Sequence, residues 1–295
     1  MEDDRPAGRL VRVGHRSVHV LDRGSPGAGP TVVFESGLAS PLQSWTWVQE
    51  AVGRQARTIS YERAGTGWST PGRGRRTVPR LAAELHELLT ALEVHEPIVL
   101  VGHSFGGLVV RCFAGTYPER VAGAVFVDAL HPEELRRSAT QRRGMAWLEQ
   151  SLTTSALQSV LRLGNKRIAA QFTELPEAAA RQARARLGVP GVWRAAAAEL
   201  VSWKNGDPRD VATGTFPPHV PLGVVVSGES LRNDVAHRKL QDELLTWSAD
   251  SFAVLAEEAS HFGLVLDRTH SHVVVDTIGA VLAKVATRRG ERVVR

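Results

Sequence analysis

The sequence predicts an α/β fold, in which a mostly parallel sheet is flanked by helices and interrupted by one long helical insertion. Short apolar runs alternate with stretches of helical periodicity over residues 1–130 and again over residues 221–295. Residues 131–220 between them are rich in Ala, Arg, Leu and Glu, are broken by prolines, and contain no convincing strand. We therefore expect one core built from the first and last segments, with a helical cap formed by residues 131–220.

Eight apolar runs have the length of strands, which predicts an eight-stranded sheet with the cap between strands 6 and 7. They are Leu10–Val13, Val18–Leu21, Thr31–Phe34, Ala56–Tyr61, Ile98–Val101, Val121–Val127, Leu222–Ser227 and Ser251–Ala256. The first two alternate apolar and polar residues around Gly14 and His15, which is typical of a hairpin. Helices are predicted where apolar residues recur at helical spacing. They cover Trp45–Ala51, Leu81–Leu92, Leu108–Thr116, Val235–Trp247 and Ser271–Thr287.

The composition argues against several classes of protein. The net charge is +5, but the arginines are dispersed and no nucleic-acid-binding motif occurs, so we expect no nucleic-acid partner. No run approaches the roughly 18 apolar residues of a membrane span. The acidic start, Met1–Pro6, lacks the apolar region of a secretory signal, which favours a cytoplasmic location. The single cysteine, Cys112, excludes an internal disulfide and is predicted to be a small core residue.

The segment around Ser104 carries the clearest chemical signal. An apolar strand, Ile98–Val101, runs into Gly102–Gly106, which reads Gly-His-Ser-Phe-Gly, and a helix-compatible stretch follows. This order of strand, sharp turn and helix around Gly-x-Ser-x-Gly is that of a nucleophile elbow. The glycines let the strand and the helix approach closely, and the serine then projects beside a helix N-terminus. We therefore predict that Ser104 is a catalytic nucleophile.

Four separate stretches make the chain similar to the α/β-hydrolase superfamily over nearly its whole length. They are Val32–Leu38, Tyr61–Ser69, Gly102–Gly106 and Ala259–Phe262. The first is where that family supplies one oxyanion-hole amide, the second is similar to its Asp-Arg-x-Gly-x-Gly-x-Ser loop, and the fourth is where it places its histidine. Ser104 excludes the branch of epoxide hydrolases and haloalkane dehalogenases, which use a carboxylate nucleophile. The chain thus resembles the serine esterase and lipase-like branch with a helical cap.

The resemblance implies a role for each of four residues. Ser104 attacks a carbonyl carbon, and His261 takes its proton, since a serine hydroxyl is a poor nucleophile without a base within reach. The backbone amides of Leu38 and Phe105 form the oxyanion hole.

The acid that orients His261 has three candidates. Family members usually take this acid from the loop after the seventh strand, where the chain offers Asp234 and Glu229. A second arrangement in the superfamily places the acid one strand earlier. Asp128 stands there, at the end of the sixth strand and in the chain order Ser, Asp, His. We take Asp128 as the expected acid, with Asp234 and Glu229 as alternatives.

Two further expectations concern the surroundings of the site. Glu62 and Arg63, in place of the family's Asp-Arg, are interpreted as a structural ion pair that fixes their loop. Large apolar residues of the cap are expected either to pack onto the core or to form an apolar wall of the substrate pocket. They are Trp147, Leu148, Trp193, Leu200, Val201 and Trp203.

Together these residues predict a serine hydrolase that cleaves a carboxylic ester, lactone or thioester through an acyl-enzyme. Its partner is an apolar, ester-like small molecule, and neither an organic cofactor nor a metal is expected. Two alternatives stay open: an acyltransferase or natural-product-processing enzyme with the same triad, and a small-molecule receptor without turnover. Product analysis with water and with alcohol or amine acceptors would separate hydrolysis from acyl transfer, and tight binding without turnover would indicate a receptor.

Overall fold

A computed structural model of the protein describes residues 6–24, 29–163 and 169–293, so most of the segment on which the cytoplasmic expectation rests, residues 1–5, lies outside it. All eight predicted strands are present. They are β1 (Arg9–Val13), β2 (Arg16–Arg23), β3 (Val32–Glu35), β4 (Thr58–Tyr61), β5 (Ile98–His103), β6 (Val121–Val127), β7 (Leu222–Ser227) and β8 (Ser251–Ala256). The predicted α/β architecture with an eight-stranded sheet is confirmed.

The order of the strands places the predicted nucleophile beside the expected acid. The sheet runs β1-β2-β4-β3-β5-β6-β7-β8. The β1–β2 and β2–β4 pairs are antiparallel, and the remaining pairs are parallel. In the β5–β6 pair His103 is opposite Val127, so the chain leaves both strands at the same edge of the sheet. Ser104 and Asp128 follow directly, at the edge where open α/β sheets bind ligands.

Helices flank the sheet and fill the connections between its parallel strands. The α-helices of the described residues are α1 (Thr46–Val52), α2 (Val78–Ala91), α3 (Phe105–Thr116), α4 (Glu134–Arg137), α5 (Ala139–Val160), α6 (Glu177–Leu187), α7 (Pro190–Lys204), α8 (Pro208–Val211), α9 (Gly228–Asn233), α10 (Val235–Leu244), α11 (Gly263–Leu266) and α12 (Ser271–Val293). Helix α1 packs against α12, and α2 packs against α3. Of these helices, none has the length and apolar character that crossing a bilayer requires.

Helix α3 begins at Phe105, earlier than the predicted Leu108. The two residues between are Gly106 and Gly107, and glycine is a poor helix former, so the sequence pattern gave no helical signal there. Cys112 lies within α3 and is buried, as predicted.

Between β6 and β7 the described chain is helical, from α4 to α8, and α5 packs along α7. This insertion rests on the segment that follows β3. Trp47 Nε1 donates to the Glu174 carbonyl at 3.2 Å, and Gln43 Nε2 donates to Gln182 Oε1 at 3.3 Å. The insertion therefore lies next to the sheet edge that carries Ser104.

Candidate active site

Ser104 lies on a strained turn between β5 and α3. Its backbone angles are φ 53° and ψ −122°, a conformation that residues with a side chain rarely adopt. A Cβ on Gly106 would lie 2.3 Å from the Glu35 carbonyl oxygen, and a Cβ on Gly102 would lie 2.9 Å from the Gly106 carbonyl oxygen. Because only glycine fits at these two positions, the motif determines the close approach of strand and helix.

Asp128 and His261 are joined by a hydrogen bond of 2.6 Å between His261 Nδ1 and Asp128 Oδ2. The hydroxyls of Ser230 and Ser227 donate to the same carboxylate oxygen at 2.6 and 2.9 Å. Burial raises the pKa of Asp128, but its contacts with His237 and His261 hold the pKa well below its usual value. An ionised carboxylate only accepts hydrogen bonds, so the proton of the neutral His261 ring is on Nδ1 and Nε2 is available as a base.

The other two candidate acids do not reach the His261 ring in the described chain. Asp234 caps α10 and accepts hydrogen bonds of 3.0 and 3.2 Å from N–H groups at the start of that helix. Glu229 Oε2 accepts a hydrogen bond from the backbone N–H of His261 at 2.9 Å. Of the three carboxylates, the structure brings Asp128 to the imidazole, whereas Glu229 holds the loop that carries it.

A cavity of about 310 Å³ joins these groups. Its core side is lined by Ser104, His261, Asp128, Leu38 and Phe105, among others. Its other side comes from the insertion and includes Gln141, Gly144, Met145, Trp147, Leu148 and Trp203. In the described chain the His261 ring is bonded to Asp128 but not to the Ser104 hydroxyl, and such contacts often tighten only when substrate binds.

The large apolar residues of the insertion fall into two groups. Trp147, Leu148 and Trp203 line the cavity. Trp193 and Leu200 are instead buried within the core of the molecule, each 1% exposed. Val201 is 48% exposed and belongs to neither group.

Neighbouring groups position the N–H groups of Leu38 and Phe105. Phe105 is the first residue of α3, so its N–H has no partner within the helix. The carbonyl of Gly37 accepts a hydrogen bond from Arg63 Nη2 at 2.9 Å. The described peptide bonds are all trans, so the N–H of Leu38 points away from that carbonyl. A Cβ on Gly37 would lie 3.5 Å from Ser104 Cβ, which places this peptide bond beside the predicted nucleophile.

Comparison with known proteins identifies the family of the chain. The family profile described as alpha/beta hydrolase fold matches residues 30–182, which include the elbow and Asp128. The chain belongs to the α/β-hydrolase family. Most of the match lies in the core, and its last part extends into the insertion.

Curated relatives of this α/β-hydrolase match over shorter regions. An uncharacterised protein of Bacillus subtilis is 29% identical over 124 residues, which cover 39% of this chain and 49% of that protein. Methylesterase 1 of Arabidopsis thaliana is 33% identical over 95 residues, which cover 30% of this chain and 36% of that protein. The chain therefore spans less than half the length of either relative.

Solved structures share the fold over nearly the whole chain. A thermophilic esterase from Thermogutta terrifontis has 19% identity and a TM-score of 0.66, covering 94% of this chain and 98% of its own. The epoxide hydrolase CorEH has 16% identity and a TM-score of 0.72, with the same coverage of both chains. At these identities the likeness shows the fold alone.

Arg63 of this α/β-hydrolase does not pair with Glu62, which corrects the expectation from the sequence. Its guanidinium donates to Glu35 Oε1 at 2.7 Å and to Glu199 Oε2 at 2.9 Å, and Glu199 belongs to α7 of the insertion. The two carboxylates lie where the planar guanidinium can donate several hydrogen bonds at once. The carboxylate of the neighbouring Glu62 instead accepts a hydrogen bond from the Leu42 N–H at 3.1 Å. Burial raises the pKa of Glu62 to about 7.

The same guanidinium holds the loop after β3. Arg63 Nη1 donates to the Ser36 carbonyl at 2.6 Å, and Nη2 donates to the Gly37 carbonyl at 2.9 Å. Burial lowers the pKa of Arg63, but the charges of Glu199 and Glu35 outweigh burial and raise it. Arg63 is therefore a buried cation that connects the insertion to the peptide bond of Leu38.

His103, which precedes the nucleophile, has a contact that the sequence did not predict. Its Nε2 lies 3.1 Å from the His261 carbonyl oxygen, and the two ring centroids are 4.6 Å apart. Burial, together with repulsion from His261, lowers the pKa of His103 to about 3. A carbonyl only accepts, so neutral His103 donates from Nε2 and holds the His261 loop. No local pattern could reveal a contact across 158 positions.

A second buried histidine lies behind Asp128. His237 Nδ1 is 2.9 Å from Glu134 Oε1, and His237 Nε2 is 3.5 Å from Asp128 Oδ1 without hydrogen-bond geometry. Burial lowers the pKa of His237, but contacts with Asp128 and Glu134 outweigh it and raise the pKa to about 10. At neutral pH His237 is thus a cation between two carboxylates, and it favours the ionised form of Asp128.

His237 is expected to make stability depend on pH. Its pKa rises from 6.5 to about 10 on folding, so the folded protein holds an extra proton between these values. The free energy by which this proton stabilises the folded protein is fully present below pH 6.5, and it is lost as the pH rises through the pKa of His237 in the folded protein. We expect the difference in free energy of unfolding between wild type and His237→Gln to shrink as pH rises from about 7 to about 10. Urea denaturation of both proteins at several pH values measures this difference in free energy of unfolding.

The control for this series is His95→Gln, because His95 is exposed. We expect no such trend for this variant. A difference between wild type and His237→Gln that stays constant across the pH range would contradict the assignment of the charge to His237.

The structure also bears on metal binding. Within the residues it describes, no cluster of three or more His, Cys, Asp and Glu side chains could hold a metal ion.

Proposed function

We propose that this α/β-hydrolase is a serine hydrolase that cleaves a carboxylic ester, lactone or thioester of an apolar small molecule. The observation that carries the proposal is the 2.6 Å hydrogen bond between His261 Nδ1 and Asp128 Oδ2, in the cavity that Ser104 also lines. A base held by a carboxylate beside a serine on a strained elbow is the arrangement that activates a hydroxyl. The partial likeness to a plant methylesterase supports ester chemistry.

The reaction would proceed in two stages. In the first, His261 Nε2 takes the proton of the Ser104 hydroxyl while Oγ adds to the carbonyl carbon, and the amides of Leu38 and Phe105 hold the oxyanion. Asp128 stays ionised and stabilises the imidazolium. The leaving group receives the proton from His261, which gives an acyl-enzyme. In the second, His261 deprotonates a water that adds to the acyl carbon, and Ser104 leaves with the proton returned to it.

The proposal includes a division of the chain into two parts. Residues 1–130 and 221–295 would form the catalytic core, and residues 131–220 would form a cap over its site. Trp147, Leu148 and Trp203 support this division, because they come from the insertion and line the cavity beside Ser104. An apolar wall at this place would favour apolar substrates and shield the acyl-enzyme.

A fluorophosphonate probe tests the proposal directly. The probe needs an activated serine and a working oxyanion hole, so we expect rapid labelling of the wild type, mapped to Ser104 by peptide mass spectrometry. Ser104→Ala should remove the label. Ser40→Ala is the matched control, because Ser40 lines the same cavity and has no proposed role in the reaction.

Two outcomes would change the assignment. A folded wild type that resists the probe and hydrolyses no short p-nitrophenyl ester would contradict a serine hydrolase and favour a receptor. Labelling at Ser104, with an added alcohol or amine as the main acyl acceptor in place of water, would indicate acyl transfer.

A further inference from the structure

A second cavity lies where the insertion meets the start of α2. Its volume is about 400 Å³, and it is lined from α5, α7 and α8 and by Thr77, Val78 and Pro79. Two side chains, Met145 and Trp203, line both this cavity and the catalytic cavity. They therefore form the wall between the two, and we call the second cavity the rear chamber.

The two side chains of this wall differ in shape and in packing. Trp203 packs edge-on against Phe105, the residue after Ser104, with ring centroids 6.1 Å apart. Met145 is 6% exposed and has an unbranched side chain that changes rotamer readily. A chain leaving the catalytic cavity would therefore displace the thioether of Met145 more easily than the indole of Trp203.

The rear chamber has an apolar interior and a rim of paired charges. Its apolar lining, apart from the wall, is Val78, Pro79, Pro132, Leu135, Pro208 and Val211. At the rim, Arg136 lies 3.7 Å from the carboxylate of Asp207, and Lys204 donates to Glu149 at 2.8 Å. Arg142, which also lines the chamber, donates to the carbonyls of Leu135 and Arg136 at 3.1 and 2.7 Å. Since all three cations already have acceptors, the chamber favours a neutral apolar group over an anion.

We propose that the rear chamber binds the far end of an unbranched alkyl chain whose ester carbonyl lies at Ser104. This inference rests on the proposed function and deepens it, because it names esters of medium and long acyl chains as the substrate class. The carbonyl and the first methylenes occupy the catalytic cavity, and the chain continues past Met145 into the rear chamber.

A series of p-nitrophenyl esters from acetate to dodecanoate tests the proposal. Once the chain is long enough to pass Met145, each added methylene enters an apolar site, so kcat/KM is expected to rise about fourfold per methylene. An enzyme with no chamber beyond the catalytic cavity would show a flat or falling profile.

Two neighbouring positions on α7 supply a matched pair of variants. Ser202 is half-buried and lines the rear chamber, so Ser202→Trp fills it. Val201 is exposed and lines neither cavity, so Val201→Trp adds the same bulk elsewhere. We compare kcat/KM for dodecanoate with kcat/KM for acetate in each variant. We expect this ratio to fall about tenfold or more in Ser202→Trp, because the far methylenes of the chain can no longer be buried in the rear chamber. The ratio should stay unchanged in Val201→Trp. An equal fall in both variants would overturn the proposal.

A binding measurement separates this inference from the proposed function. Calorimetric titration of 1-octanol into Ser104→Ala protein needs no turnover, and we expect Ser202→Trp to weaken binding about tenfold while Val201→Trp does not. If the wild type hydrolyses no ester, that binding result would keep the rear chamber and reject the hydrolase. Equal affinity in all three proteins would reject the rear chamber, whatever the esterase assays show.

Discussion

Asp128→Asn is expected to lower kcat for a short ester by about 10⁴-fold while the protein stays folded. The carboxylate accepts from His261 Nδ1 and from the hydroxyls of Ser227 and Ser230. An amide of the same shape can turn its NH₂ group toward His261, which then holds the wrong tautomer and gains no charge stabilisation. The size of Asn matches that of Asp, so packing at the end of β6 is retained.

Steady-state kinetics and circular dichroism of two variants test this result. Asp234→Asn is the control, because Asn also caps helices well and Asp234 does not reach the imidazole. We expect this control to keep nearly normal kcat. Normal turnover in Asp128→Asn together with a large loss in Asp234→Asn would reverse the assignment of the acid.

Arg63→Met is expected to damage both stability and catalysis. Removing the guanidinium leaves buried Glu35 without its cation and leaves buried Glu199 with only the 3.5 Å contact to Arg76. Removing one partner of a buried ion pair typically destabilises a protein by about 3–5 kcal/mol. The carbonyls of Ser36 and Gly37 also lose their donor, so the Leu38 N–H is no longer fixed. If this amide holds the oxyanion, kcat should fall by about 10²–10³-fold, the effect of losing one such donor.

Urea denaturation and ester kinetics measure these two effects. Arg57→Met is the matched control, because Arg57 pairs with Asp22 away from the cavity and the two side chains are 19% and 21% exposed. Water reaches the carboxylate of Asp22, so we expect a smaller loss of stability than in Arg63→Met and no loss of kcat. Glu199→Gln separates the two effects, since it removes the charge on α7 and keeps Arg63 on the Gly37 carbonyl. Unchanged kcat in folded Arg63→Met would contradict the role of this loop.

The parts of the fold and site that local signals specify could be predicted from the sequence. Two apolar runs, each followed by a polar residue with possible chemistry, placed Ser104 after β5 and Asp128 after β6. Because β5 and β6 are parallel neighbours in the sheet, the two residues come together at the same edge. The choice among the acids was harder, because Asp234 also follows a strand. It depends on where the His261 loop folds, and a bond to Glu229 across 32 positions fixes that loop.

The parts that depend on distant pairs could not be predicted. Arg63 and Glu199 are 136 positions apart, and His237 and Glu134 are 103 positions apart. Arg63 stands beside Glu62 in the sequence, which suggested a local pair, yet burial and the fork geometry of the guanidinium select Glu35 and Glu199. Ion pairs of this kind carry no periodicity, so they follow only from the tertiary fold.

The contact between Arg63 and Glu199 holds α7 of the insertion against the core, beside the cavity that Ser104 lines. Moving α7 away from the core would separate a buried cation from a carboxylate that has no exposed surface. Helix α5 contributes Trp147 to the lining of the cavity, and this side chain is 56% exposed. We therefore expect α7 to stay in place against the core, and a substrate of the proposed reaction to enter the cavity on the side of α5.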